Sequence, residues 1–177
     1  SLSKRQREII VGLLLGDGHL ETQNHITYRL KFEHSIKQKE YANWLYGELK
    51  NWIAQLPRER SKISFGKEII SYGFTTYSSG QLRFYGRQFY QHRKKIIPKM
   101  IRKWLTPLSV AIWFMDDGSW KSDHHKTYII HTLGYSRMEL IILQKALEEK
   151  FNVSTSIHKQ YNGLRLYVYS KSAGHFR

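Results

Sequence analysis

Two aspartates, Asp17 and Asp117, are the residues of this 177-residue chain best suited to chemistry; each is followed by glycine, and they lie 100 residues apart. Each closes an apolar stretch, Ile10-Val11-Gly12-Leu13-Leu14-Leu15-Gly16-Asp17-Gly18 and Val110-Ala111-Ile112-Trp113-Phe114-Met115-Asp116-Asp117-Gly118. Both stretches read as the end of a helix. The last carbonyls of a helix carry partial negative charge, so an aspartate there is unfavourable for the helix alone. It becomes sensible where a divalent cation is held by carboxylates and backbone oxygen.

Lys plus Arg number 29 against 14 Asp plus Glu, a net charge of +15, which implies a polyanionic partner, nucleic acid foremost. The basic residues are scattered over many segments, whereas an anionic membrane would be met by one basic amphipathic helix. No Gly-rich phosphate loop is present, so nucleotide hydrolysis is not indicated. Apolar residues make up 41% and are spread along the chain, enough for a packed core. The absence of cysteine excludes disulfides and Cys-based zinc sites and fits a reducing intracellular compartment. No run approaches the roughly 18 apolar residues of a membrane helix, and the N-terminus does not read as a signal peptide. Among the nine histidines, neither His34 nor His124-His125 shows ligand spacing, and they read as surface residues.

The elements that must position the aspartates follow from periodicity and caps. Ser3 and Gln6 form a capping-box pattern before a helix running to Leu15. Residues His25 to His34 alternate, with Ile26, Tyr28, Leu30 and Phe32 on one face and polar, mostly basic side chains on the other: a half-buried strand. Ser35 and Gln38 cap a second helix, Ile36 to about Ile53. Lys62 to Thr76 reads as two strands turning at Gly66-Lys67, and Ser79 to His92 is ambiguous, its Leu82, Phe84, Phe89 and Tyr90 fitting a short helix. Thr106-Pro107 starts the helix Leu108 to Met115. A strand from about Lys126 to Leu133, a helix capped by Ser136 and Glu139, and strands Val153–Gln160 and Leu164–Tyr169 around an Asn162-Gly163 turn complete the chain. The order repeats: a helix ending in Asp-Gly, strand, capped helix, strand pair. A duplicated chain suggests a pseudo-twofold molecule, matching the twofold symmetry of the duplex DNA backbone.

The two nonapeptides resemble those of the LAGLIDADG family in its single-chain, two-motif branch. The first has a small residue at position three and Asp-Gly at its end; the second has Ile112 in place of the glycine but carries the Trp-Phe-Met-Asp-Asp-Gly string typical of this branch. The resemblance runs from about Leu2 to the C-terminus. It implies an α+β fold of two pseudo-twofold-related αββαββ halves, residues 1–97 and 98–177, with the motif helices packed at the centre and antiparallel sheets forming a DNA-binding saddle. It implies a monomeric, intracellular homing endonuclease that hydrolyses both strands of a long double-stranded DNA site with Mg2+ or Mn2+, leaving short 3′ overhangs, and that is encoded within an intron or intein. Asp17 and Asp117 then become metal ligands, joined by the backbone carbonyls of Gly16 and Asp116. The Asp116 side chain reads as water-facing. In Lys94-Lys95-Ile96-Ile97-Pro98, Lys95 matches the family's catalytic lysine. The second half should carry a counterpart lysine in a C-terminal helix and tail, and the sequence stops at Ala173-Gly174-His175-Phe176-Arg177 as that helix would begin. Two alternatives follow: an RNA maturase of the same fold acting on group I intron RNA, or a DNA-binding protein that nicks or cuts weakly.

DNA contacts are expected from the polar faces of the strands, because a saddle of strands can read base edges in the major groove. In the first half these are Thr27, Arg29 and Lys31, with Lys62 and Ser64. In the second they are Ser156, His158, Gln160, Arg165 and Tyr167, since Leu164, Leu166 and Val168 take the core face. Lys4, Arg5, Arg7, Arg93, Lys94, Arg102 and Lys103 are assigned to backbone phosphates or the general field.

Overall fold

The computed structural model describes residues 1–121, 124 and 127–176, the last two by backbone alone. Helix α1 (Lys4–Leu15) begins at a capping box made by Ser3 and Gln6 and buries Ile9 through Leu15. Strands β1 (His19–Glu21) and β2 (Arg29–Ser35) follow. Helix α2 (Lys39–Leu49), flanked by short 3-10 turns, leads to β3 (Arg58–Ser64) and β4 (Lys67–Thr75). A helix α3 (Arg83–Phe89) and a two-residue ribbon, β5 (Tyr90–Gln91) with β6 (Lys94–Lys95), end the first half.

The second half opens with α4 (Ile101–Trp104) and repeats the order. Its members are α5 (Pro107–Asp117), β7 (Gly118–Trp120), β8 (Tyr128–Ile130), α6 (Arg137–Phe151), β9 (Thr155–Gln160), β10 (Gly163–Val168) and α7 (Ala173–Phe176). The two four-stranded antiparallel sheets have the same topology, β1-β2-β4-β3 and β7-β8-β10-β9. The expected α+β architecture of repeated αββαββ halves is therefore present. Leu20, Leu30, Phe32 and Phe74 from one sheet and Ile130, Leu166 and Val168 from the other join both motif helices in a continuous core. No helix among the described residues is long and apolar enough to cross a membrane.

Several local expectations are corrected. The strand expected from His25 begins only at Arg29: His25 adopts φ 55°, Ile26 is exposed, and Asn24 Oδ1 accepts from the amides of Ile26 and Thr27, so a turn overrides the alternation. Thr27 thus lies in a loop. Ser35 caps a 3-10 turn rather than α2, whose N-cap Gln38 makes no side-chain cap bond. The last hairpin turns at Tyr161–Asn162, with Gly163 already paired to Gln160. Strands β1 and β7 are too short to leave a periodic signal. Of the expected strand from Lys126, residue 126 lies outside the described residues, as does His125.

Helices α1 and α5 pack along their length because Gly12 has no side chain. A Cβ there would come within 2.6 Å of both Ile112 Cβ and the Ser109 carbonyl. The residue that breaks the second motif's glycine pattern is the one that fills the hole left by the first motif's glycine. We expect Gly12→Val to push the helices apart and cost about 1–3 kcal/mol or more in chemical denaturation. Gly47→Ala, on α2 with nothing within 4 Å of its Cβ position, should instead stabilise by about 0.5–1 kcal/mol.

Candidate functional site

The paired helices deliver their C-terminal ends to one place. Helix α5 runs through Asp117 directly into β7, while α1 stops at Leu15 and passes through Gly16–Gly18 into β1. At this junction of helix pair and sheets, Asp17, Asp116 and Asp117 meet. Asp116 Oδ2 accepts from the Asp17 amide (2.9 Å) and Oδ1 from the Tyr41 hydroxyl (2.8 Å). The expectation that the Asp116 side chain faces water is wrong: the crossing of the helices turns it inward, against Gly16.

The carboxyls are electrostatically strained. Burial, partly offset by these hydrogen bonds and reinforced by Asp17 and Asp117, pushes Asp116 up to about 8. Burial and the charge of Asp17 push Asp117 up to about 7, against the pull of Lys95. Burial also raises Asp17, with His34 and Lys95 opposing. Hard oxygen donors that repel one another in a poorly solvated corner are what a divalent cation compensates, so the donor set fits such an ion. Among the described residues, Asp17, His34 and Asp116 form a group whose ligand atoms all lie within 4.8 Å.

Lys95 reaches this corner from the β5–β6 ribbon, turned tightly by His92 and Arg93, both at positive φ. Its Nζ donates to the carbonyls of Gly16 (2.8 Å) and Gly18 (2.6 Å), closing the end of α1 with a cation. The Gly16 carbonyl, expected to face a metal, is thus engaged by the ammonium. Burial lowers the Lys95 pKa although Asp117, Asp17 and Asp116 all act to raise it. Each half also sends a tyrosine to the other's motif helix: Tyr41 to Asp116 of α5, and Tyr135 to the Leu15 carbonyl of α1 (3.0 Å).

His34 was expected at the surface but lies mostly buried in the site. Its Nδ1 accepts from the Ser35 amide (2.9 Å), leaving the proton of a neutral ring on Nε2, which stands 3.1 Å from Asp17 Oδ2. Nothing in its sequence spacing marked it, because the carboxylates beside it come from the turn after α1 and from the end of α5. Tyr41, on α2, carries no local mark of its role for the same reason: its partner Asp116 comes from the other half.

The outer faces of the two sheets carry the remaining expected residues. Strand register places Arg29, Lys31, Lys62 and Ser64 on one face with Arg58 and Arg60. Arg58 and Arg60 were legible as an extension of the same alternation and were missed because β3 was started too late. Glu21 holds Arg29 (2.8 Å to Nε), and a depression of about 370 Å³ between Arg29, Lys31, Arg58 and Arg60 hollows this face. On the second sheet Ser156 pairs with Tyr167 and His158 with Arg165, with Gln160 on the same side and donating to Tyr167 (2.7 Å). Thr27 stands apart in its loop. Arg5 and Arg102 are tied to Glu48 and Glu149. The start of α1 is roughly 18 Å from its end at about 1.5 Å per residue, so Lys4, Arg5 and Arg7 cannot serve the carboxylates.

A sequence profile of the LAGLIDADG DNA endonuclease family matches residues 7–176. The chain belongs to this family. As a member it is a site-specific DNA endonuclease. The probable intron-encoded endonuclease 1 of Wickerhamomyces canadensis is 31% identical over 97% of this chain and 76% of its own length. The cytochrome b mRNA maturase bI2 of Debaryomyces hansenii is 29% identical over 97% of this chain and 67% of its own. Among solved structures, the homing endonuclease I-WcaI bound to its DNA recognition sequence superposes with a TM-score of 0.92 at 27% identity, over 99% of this chain and 80% of that one.

The raised carboxyls set a pH dependence. From about pH 4 to about pH 8 the folded, metal-free chain holds protons that the unfolded chain has lost, so these groups make stability fall as pH rises. We expect melting in EDTA to occur at a lower temperature at about pH 8 than at about pH 5.5, and Asp117→Asn to flatten the decline. Millimolar Ca2+ should restore the melting temperature at the higher pH; no response to Ca2+ would contradict the cation fit.

Proposed function

We propose that this LAGLIDADG endonuclease cuts both strands of a long double-stranded DNA site in a divalent-metal-dependent reaction, with Asp17 and Asp117 as the principal ligands. The convergence of three raised carboxyls and Lys95 at the ends of the motif helices supports this reading. Mg2+ or Mn2+, held there, supplies Lewis acidity for water activation and charge for the leaving 3′ oxygen. The chain's own residues prepare the place. Asp17 and Asp117 present hard oxygens from opposite halves, one toward each strand of a duplex with matching symmetry. Lys95 fixes the turn that carries Asp17 and puts a poorly solvated positive charge beside the position where phosphate charge develops. Tyr41 and Tyr135 hold the two helices in mutual register.

In this reading the outer sheet faces lie in the major groove, with Arg29, Lys31, Lys62 and Ser64 on one half-site and Ser156, His158, Gln160, Arg165 and Tyr167 on the other. We add Arg58 and Arg60 to the first set and place Thr27 at its rim. The chain acts as a monomer, because both halves of the pseudo-twofold site are in one polypeptide. The maturase among its relatives supports a second reading, in which the basic surface also engages intron RNA.

Incubation with a genomic DNA library, followed by sequencing of the ends, should give discrete ends at one extended motif with Mg2+ and none with EDTA. Asp17→Asn and Asp117→Asn should each abolish double-strand cleavage while leaving DNA retention in Ca2+ near wild type; undiminished cutting by both would defeat the metal assignment. Arg60→Ala should weaken DNA binding and reduce the salt slope by about 1 if Arg60 meets a phosphate.

A further inference from the structure

The residues just before the two principal carboxylates differ: Gly16 in the first motif and Asp116 in the second. The helix ends differ accordingly. Asp117 lies within α5, so its amide belongs to that helix's own hydrogen-bond ladder. Asp17 lies beyond the end of α1; Gly16 and Gly18 bond back to Gly12 and Leu13, and the Asp17 amide instead donates to Asp116 Oδ2 at 2.9 Å. The acceptor is held in turn by Tyr41, whose hydroxyl donates to Oδ1 at 2.8 Å. The space it occupies exists because Gly16 lacks a side chain, since a Cβ there would stand 2.5 Å from both Asp116 Cβ and Oδ2. A carboxylate of one half, braced by a tyrosine of the other, therefore clamps the peptide that presents Asp17. The reciprocal position is a glycine, so among the described residues no side chain from that position clamps Asp117.

We propose that Asp116 is a positioning residue for Asp17, and that the two half-sites are consequently unequal, the strand facing Asp17 depending on a clamp that the other strand does not use. The proposal rests on Asp17 and Asp117 being the principal ligands. A hydrogen-bond acceptor is what the Asp17 amide requires, so Asn should serve at 116: its Oδ1 can take the amide, and its NH2 can face the Tyr41 oxygen. Ala cannot serve. Residues that orient a ligand in this indirect way change affinity or rate by about 10- to 100-fold when removed.

The test follows each strand separately on a duplex containing the site, at saturating enzyme, alongside Ca2+ affinity measured by calorimetry on the enzyme–DNA complex. Asp116→Ala should slow one strand by about 10- to 100-fold relative to the other, so that nicked product accumulates, and should weaken Ca2+ binding. Asp116→Asn should stay near wild type in both readouts, and Tyr41→Phe should shift the strand ratio in the same direction by less. Equal slowing of both strands, an unchanged ratio, or an Asn variant as impaired as Ala would overturn the proposal. If Asp116→Ala does not fold, Tyr41→Phe decides by the same strand ratio. Asp17→Asn is the reference: if it leaves cleavage intact, the ligand assignment itself has failed, whereas if it stops cleavage and Asp116→Ala leaves the ratio unchanged, only the clamp has.

Discussion

The close approach of α1 and α5 is the constraint on which the rest of the molecule depends. It is made possible by missing side chains in the first helix and present ones in the second: Ile112 packs where Gly12 has no Cβ, and Asp116 lies where Gly16 has none. Dispersion contacts between well-packed side chains are individually small and fall away steeply with separation, so a shift of the helices by one methyl group would be felt along the whole seam. The same seam brings two helix ends and three carboxyls to a single corner. Packing and electrostatics are thus set by one geometric choice.

That corner is unfavourable for the protein alone. Burial takes the carboxyls of Asp116 and Asp117 away from water, and their neighbours repel them, so both are held well above the ordinary carboxylate range. Lys95 answers part of the charge, but its ammonium is itself poorly solvated and is committed to two backbone carbonyls. In the proposed reading, a divalent cation would relieve this repulsion, which is why the corner is read as a binding site.

The sheets play a different part. Their inner faces are committed to the core, through Leu30 and Phe32 on one side and Ile130 and Leu166 on the other, which leaves the outer faces available for polar side chains. On β2, β3 and β10 the period of two then converts a simple alternation into rows of basic or hydrogen-bonding groups. Glu21 orients Arg29, and Gln160 and His158 brace Tyr167, so part of each row is already ordered in the protein alone.

The sequence by itself determined the features that depend on near neighbours: the capping boxes at Ser3 and Ser136, the helix start at Thr106-Pro107, the apolar faces of the helices, the alternation of β10, and the repeat that pairs Asp17 with Asp117. These are set by contacts a few residues apart, and their periods survive in the amino-acid order. Only the tertiary structure decided that Asp116 turns inward, that His34 and Tyr41 join the site, and that the Gly16 carbonyl meets Lys95. Each of those outcomes is a contact between segments 17 to 99 residues apart, fixed by how two helices cross and by which side chain is absent. No local pattern records such a crossing. The turn that shortens β2 was missed for the opposite reason, because side-chain bonds from Asn24 to the backbone outweighed an alternation that by itself reads as strand.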